Sequence, residues 1–361
     1  MSFSRRSVLA APLACLALRC PPLLAASDAT VWPGREWDRT PPEQAGWDVQ
    51  VLAQARAYSQ SIGTASFVVV QHGRIIDSWG DIERRLQLYS VRKSLLSALI
   101  GIAVAAGQID LNATLESLGI DDNSPALTDA EKLATVRQLL QSRSGVYHPA
   151  AYEMASQVRR RPARGSHPPG TFWYYNNWDF NVLGTIYERA VGTSIFANFQ
   201  RRIGDPIGMQ DYRPQDGRHL KSEVSAHSAY PFHMSARDLA RFGLLFLRSG
   251  RWRDASPVPA SWVKESTTAS SRTQLGSGYG YMWWTGFPDR RVEIMNLSPG
   301  GFWADGNFGQ FIIIDPGNDL VVVHQTDTAK VEERQMGHLM WLLLRAARVP
   351  DPGRDPAGAR N

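Results

Sequence analysis

Apolar positions along the chain recur with two different periods, and the switches between them mark its elements. Residues 49–62 carry apolar side chains at helical spacing. Two runs then follow, Ser66-Phe67-Val68-Val69-Val70 and Arg74-Ile75-Ile76-Asp77-Ser78-Trp79, around a short Gln71-His72-Gly73 break. They predict a β-hairpin. From Val91 the pattern turns helical through Ala106, with Gly107 as the stop. Further helical stretches cover 129–141, 178–190, 194–202 and 235–248. Strand-like runs return only near the end, at 280–284, 310–314 and 319–323, before a last amphipathic helix over 332–348 and a polar Pro/Gly tail.

Strands at both ends with helices between them imply an α/β protein of the α+β type, in which one antiparallel sheet is assembled from the two ends of the chain. The expected layout is a sheet domain from 27–85 plus 265–350, a mostly helical domain over 86–264, and a flexible tail at 351–361. No repeat of fixed period is present in the sequence, and no apolar run outside the first residues is long enough to span a membrane.

The beginning of the chain changes how its composition reads. Arg5-Arg6 directly precede an apolar run reaching Leu24, the pattern of a twin-arginine export signal over residues 1–26. Pro12, Pro21 and Pro22 argue against a structural helix there. Both cysteines, Cys15 and Cys20, fall inside this leader, so cleavage after Ala26 leaves no thiol for a disulfide, a nucleophile or a metal. Cleavage also removes three arginines and no acid, so the formal charge of +5 falls to +2. A nucleic-acid partner is not expected, since Arg159-Arg160-Arg161 is the one basic cluster and sits among prolines as a solvated loop. The expected location is periplasmic or secreted, with no stable membrane association after cleavage. Oligomeric state is not readable.

The chain holds no Gly-x-Ser-x-Gly, no His-Glu-x-x-His and no P-loop. What remains is Tyr89-Ser90-Val91-Arg92-Lys93 ahead of an apolar helix. Residues three apart share a helix face, so Ser90 and Lys93 can touch, and a buried neutral amine beside a hydroxyl can act as its base. Ser261 and Lys264 repeat the spacing but follow Pro259-Ala260, as a surface helix start does. Only five of the 39 basic residues are lysines. In a chain this rich in arginine, which cannot give up its proton, a lysine at the head of a buried helix is the stronger base candidate.

A second stretch, Pro168-Pro169-Gly170-Thr171-Phe172-Trp173-Tyr174-Tyr175-Asn176-Asn177, gives the chain its resemblance. Together with Ser90-x-x-Lys93 it resembles the serine β-lactamase and penicillin-binding superfamily. The nearest branch is the class C-like one, with class C β-lactamases, D,D-peptidases, family VIII esterases and 6-aminohexanoate-dimer hydrolases. Supporting stretches are Leu139-Leu140-Gln141-Ser142-Arg143-Ser144-Gly145-Val146, Ser235-Ala236-Arg237-Asp238-Leu239-Ala240-Arg241-Phe242-Gly243 and Tyr279-Gly280-Tyr281-Met282-Trp283-Trp284. The resemblance implies a β-lactamase/transpeptidase-like fold in which a Ser-x-x-Lys, a Tyr-x-Asn and a third, Lys-Thr-Gly-like strand meet in one cleft. Two Tyr-x-Asn readings overlap, Tyr174/Asn176 and Tyr175/Asn177, and the Pro-Gly spacing matches the second. Tyr175 would then relay protons alongside Lys93, and Asn177 would orient Lys93 and the substrate.

The third motif departs from the pattern. It falls at Ala304-Asp305-Gly306-Asn307, where the glycine is kept but Ala304 replaces the usual cation. The resemblance assigns the oxyanion hole to the backbone N–H groups of Ser90 and Asn307, which no side-chain change removes. Recognition of a substrate carboxylate is weakened, unless Arg143, Arg290 or Arg291 compensates. Gly306, Trp173 and Trp303 are candidate substrate contacts. Trp173, Tyr174, Trp178, Trp283, Trp284, Phe302 and Trp303 crowd the predicted site, about half of them as core packing. The expected protein is an exported serine hydrolase that acts on a small ester or amide through an acyl-enzyme at Ser90, with no metal or cofactor. The alternatives are a β-lactamase or D,D-peptidase, or an acyl-binding sensor that does not turn over.

Overall fold

The hairpin opens the architecture. In a computed structural model, which describes Met1 and residues 30–273, 276–350 and 352–355, β1 (Thr64–Gln71) and β2 (Arg74–Gly80) pair antiparallel. The rest of the leader, with Arg5, Arg6 and both cysteines, lies outside the described residues, as does most of the 351–361 tail. At the hairpin turn His72 and Gly73 both take positive φ, 52° and 75°. A two-residue turn of this hand matches the twist of the flanking strands. A Cβ on Gly73 would stand 2.3 Å from the Val31 carbonyl oxygen, so only glycine fits.

Six strands from the other end of the chain complete the sheet: β3 (Ser271–Arg272), β4 (Gly278–Tyr279), β5 (Trp284–Thr285), β6 (Phe302–Gly306), β7 (Gln310–Asp315) and β8 (Leu320–Thr326). Among the described residues the order is β2-β1-β8-β7-β6-β5-β4-β3, antiparallel throughout. The first and last strands of the sequence reading therefore lie side by side, with Val69 opposite Val322. The expected strand over 280–284 is instead a hairpin, with β4 and β5 pairing around a loop closed by Gly280 N–H donating to the Trp283 carbonyl at 2.9 Å. Met282 in that loop has φ 61°, which strand geometry does not admit.

Side chains alternate across the strands and make two cores. Val68, Val70, Ile312, Ile314, Val321 and Val323 face one layer, against α2 (Arg92–Ala105), α3 (Asn177–Val191) and α4 (Ala236–Leu247). Phe67, Val69, Phe311, Ile313 and Val322 face the other, under α1 (Val49–Ser61) and α5 (Glu333–Ala346). Helix α2 is buried from Arg92 to Ala103, which explains why its sequence is apolar around most of its circumference. The helix expected over 129–141 is broken into Asp129–Lys132 and Val136–Leu140. Thr128 and Thr135 each close a capping box, with Glu131 and Gln138, and so start two separate helices. No helix among the described residues is long and apolar enough to cross a membrane.

Candidate active site

Helix α2 is entered through a 3₁₀ turn, Tyr89–Val91, that puts Ser90 one turn ahead of Lys93. Tyr89 stands at φ 47°, a left-handed conformation that costs a non-glycine residue on the order of 1–3 kcal/mol. That bend sets Ser90 at the edge of the cleft while Lys93, 2% exposed, stays inside. Lys93 Nζ lies 2.7 Å from Ser90 Oγ and 2.8 Å from Tyr175 Oη.

Opposing effects act on the Lys93 amine. The rings of Tyr175 and Phe180 lie 4.6 and 4.8 Å from Nζ and favour the ammonium by about 0.5–2 kcal/mol. Burial disfavours the ammonium by several kcal/mol, and no carboxylate among the described residues forms an ion pair with it. Burial wins: it holds the Lys93 pKa well below the usual lysine range, helped by the Arg92 guanidinium and opposed by Asp305. Arg92 is itself buried, with its guanidinium 4.9 Å from the Tyr230 ring. Tyr175 is pushed above the usual phenol range by burial, against a hydrogen bond with Ser90 and the charge of Arg92 that both pull it down. An amine that burial keeps from holding its proton tightly thus touches both a serine hydroxyl and a phenol that burial keeps from ionising, and the trio can pass a proton off Ser90.

The turn before α3 delivers Tyr175. Asn176 caps that helix, accepting from Trp178 N–H, and donates from Nδ2 to the Val146 carbonyl at 2.6 Å and to Asp179 Oδ1 at 2.8 Å. Ser142 straps the same turn, donating to the Tyr174 carbonyl at 2.6 Å and accepting from Asn176 N–H at 2.9 Å. The stretch around Gln141–Val146 that stood out in the sequence is therefore a backing for Tyr175. Of the two Tyr-x-Asn readings, the phenol that reaches Lys93 is Tyr175, whereas Tyr174 Oη donates to the Gln157 carbonyl at 2.9 Å. Asn177 does not go to Lys93: its Nδ2 donates to Gln157 Oε1 at 2.8 Å, tying the short helix Ala155–Arg160 to the site.

From the sheet side comes β6. A Cβ on Gly306 would stand 2.4 Å from the Leu88 carbonyl oxygen and 3.1 Å from Ser90 N, so the strand meets the Ser90 turn backbone to backbone. Ser90, Tyr175, Trp284, Asp305, Asn307 and Gln157 line one cleft of about 360 Å³. Trp173 lines it as well, but Trp303 does not: strand alternation puts its ring on the opposite face of the sheet, fully buried under α5. Trp178, Trp283 and Phe302 are likewise core, whereas Tyr174 and Trp284 reach the cleft. Asp305, near the end of β6, lines the cleft too, and its carboxyl is raised above the usual range by burial and by the charge of Glu333, against Lys93.

The three arginines left open as substitutes for the cation missing at Ala304 are engaged elsewhere. Arg143 donates to the Gly170 and Ser270 carbonyls, Arg290 stacks 4.4 Å over Phe287, and Arg291 donates to the Asn296 carbonyl. The arginine that does line the cleft is Arg160, from the triplet read as a solvated loop. A larger hollow of about 760 Å³ near Arg241 and Arg253 holds no nucleophile–base pair. Arg241 there braces the Ile207, Gly34 and Arg35 carbonyls. Among the described residues no cluster of three or more His, Cys, Asp or Glu is placed to hold a metal.

A serine, a buried lysine and a tyrosine meeting at the edge of an antiparallel sheet define the class: a serine hydrolase of the β-lactamase/transpeptidase-like fold. The comparisons with known proteins agree. The family model described as Beta-lactamase matches residues 46–345, and the chain belongs to that family. Esterase EstB of Burkholderia gladioli is 25% identical over 222 residues, which are 52% of this chain and 56% of the esterase. A D-aminopeptidase of Cereibacter sphaeroides is 29% identical over 185 residues, 43% of this chain and 34% of that enzyme. The matches thus span little more than half of one relative and a third of the other. A Bacillus anthracis protein assigned as a 6-aminohexanoate-dimer hydrolase superposes with a TM-score of 0.63 at 21% identity, covering 81% of each chain, and shares the fold.

Proposed function

We propose that the enzyme hydrolyses a small ester or amide through an acyl-enzyme at Ser90. The observation that carries this reading is Lys93 Nζ within hydrogen-bond reach of both Ser90 Oγ and Tyr175 Oη. In the first step Lys93 takes the Ser90 proton as Oγ attacks the carbonyl carbon. The backbone N–H groups of Ser90 and Asn307 stabilise the oxyanion, each such donor being worth about 2.7–4 kcal/mol. Tyr175 passes the proton to the departing alcohol or amine, which leaves as the tetrahedral species collapses. Water then attacks the acyl-enzyme along the same route in reverse, releasing the acid and restoring Ser90.

Esters and small amides rank above β-lactams because Ala304 offers no cation beside the oxyanion position, and Phe172, Trp173 and Trp284 give part of the cleft wall an apolar surface. The names of the esterase and D-aminopeptidase relatives point the same way. On its twin-arginine leader we read the enzyme as exported. With p-nitrophenyl butyrate as substrate, steady-state turnover should be lost in Ser90→Ala. Wild-type-like turnover by that variant would remove Ser90 from the mechanism.

A further inference from the structure

Ala304 is buried in the apolar core, so the strand supplies no cation to the cleft. The short helix in the cleft wall supplies one. Arg160 ends the short helix Ala155–Arg160, is exposed, lines the same cleft as Ser90, and has no hydrogen bond or ion pair among the described residues. Its neighbour Arg161 is committed to Glu153, which neutralises the nearby acid.

Gln157 adds donors beside it. Its Oε1 accepts from Asn177 Nδ2 at 2.8 Å and from Met154 N–H at 3.0 Å, and these two donors fix which amide atom is the oxygen. The two Nε2 hydrogens are left without an acceptor among the described residues. Ser156, next in the wall, adds a hydroxyl. This end of the cleft therefore offers a guanidinium, an amide N–H₂ and a hydroxyl. The helix carrying them is held to the Tyr175 turn by the Tyr174 and Asn177 hydrogen bonds. Phe172 and Trp173 border the same space.

We infer that this wall is a carboxylate subsite: Arg160, with Gln157 Nε2 and Ser156 Oγ, binds an anionic group of the substrate and selects esters or amides that carry one. The inference rests on the reading of Ser90 as the nucleophile of the same cleft. Asp305 lines the same cleft, and the groups acting on it are Glu333 at the start of α5 and Lys93 on α2. Burial and Glu333 keep more of its carboxyl protonated at neutral pH than in water, which lessens its repulsion of an anion.

The test compares two probes, p-nitrophenyl butyrate and the mono-p-nitrophenyl ester of glutarate, whose acyl chain ends in a carboxylate. In Arg160→Met the ratio of kcat/KM for the anionic to the neutral ester should fall by about 10-fold or more, the size expected for loss of a charge-assisted hydrogen bond. Arg160→Lys should recover part of the ratio. A ratio unchanged within about 2-fold in Arg160→Met, beside normal wild-type turnover, overturns the subsite and leaves the hydrolase reading intact. If the wild type hydrolyses neither ester, the hydrolase reading fails instead. The subsite is then decided by glutarate binding, followed through tryptophan fluorescence: saturable binding lost in Arg160→Met upholds it, and no binding to the wild type overturns it.

Discussion

At Lys93 the proposed chemistry depends on a charge that the surroundings disfavour. Burial and Arg92 lower its pKa while Asp305 raises it, and each of these neighbours can be altered separately. The acid limb of kcat/KM reports the free-enzyme base, so with Lys93 as the proposed base activity should be lost as pH falls through its lowered pKa. Removing the Asp305 charge takes away a stabiliser of the ammonium, so Asp305→Asn should move that limb to lower pH. Arg92→Met removes a repulsion and should move it to higher pH. Two pH–rate profiles that keep the wild-type acid limb would mean that Lys93 is not the base. Ser90 and Lys93 were legible from spacing and from the scarcity of lysine, and Tyr175 from the resemblance. Arg160 and Gln157 were not, because a solvated arginine and one lining a cleft have the same sequence signature. What separates them is the tertiary path of the segment around 150–162. Trp303 was misplaced for a related reason: which face of a strand a residue takes depends on where the strand ends up, not on its composition.

Between elements the decisive contact is strand β6 against the 3₁₀ turn before α2. Neither belongs to the other's part of the chain, and they meet without side chains at Gly306. Gly306→Ala should push the Ser90 turn away, since its Cβ would lie 2.4 Å from the Leu88 carbonyl oxygen. Misplacing a nucleophile by about 1 Å can cost about 10²-fold. A loss of that order in kcat/KM for p-nitrophenyl butyrate is expected, with the chemical-denaturation midpoint reporting whether the variant stays folded. Near-normal activity in folded Gly306→Ala would show that the strand and the turn are not held in this register. The elements themselves were largely legible from period alone, including the hairpin β1–β2, helix α2 and the last helix α5. The exceptions were local. Capping by Thr135 split one helix, and the loop through Met282 turned an expected strand into a hairpin; both depend on backbone geometry that hydrophobic pattern does not encode.

On the scale of the molecule, one sheet divides two cores that differ in what they serve. The face under α1 and α5 is apolar packing that joins the chain's two ends. The other face carries the helical layer whose α2 and α3 bring in Ser90, Lys93 and the Tyr175 turn. The closing of the sheet by β1 beside β8 was foreseeable, because strands at both ends with helices between leave few other ways to build a single sheet. The central claim is that this junction forms a covalent acyl-enzyme. The most direct measurement is intact-mass analysis of the protein treated with a fluorophosphonate, followed by peptide mapping. The expected result is one adduct per chain, on Ser90, absent from Ser90→Ala and strongly slowed in Lys93→Met. An adduct on another residue, or equal labelling of Ser90→Ala, would contradict the account.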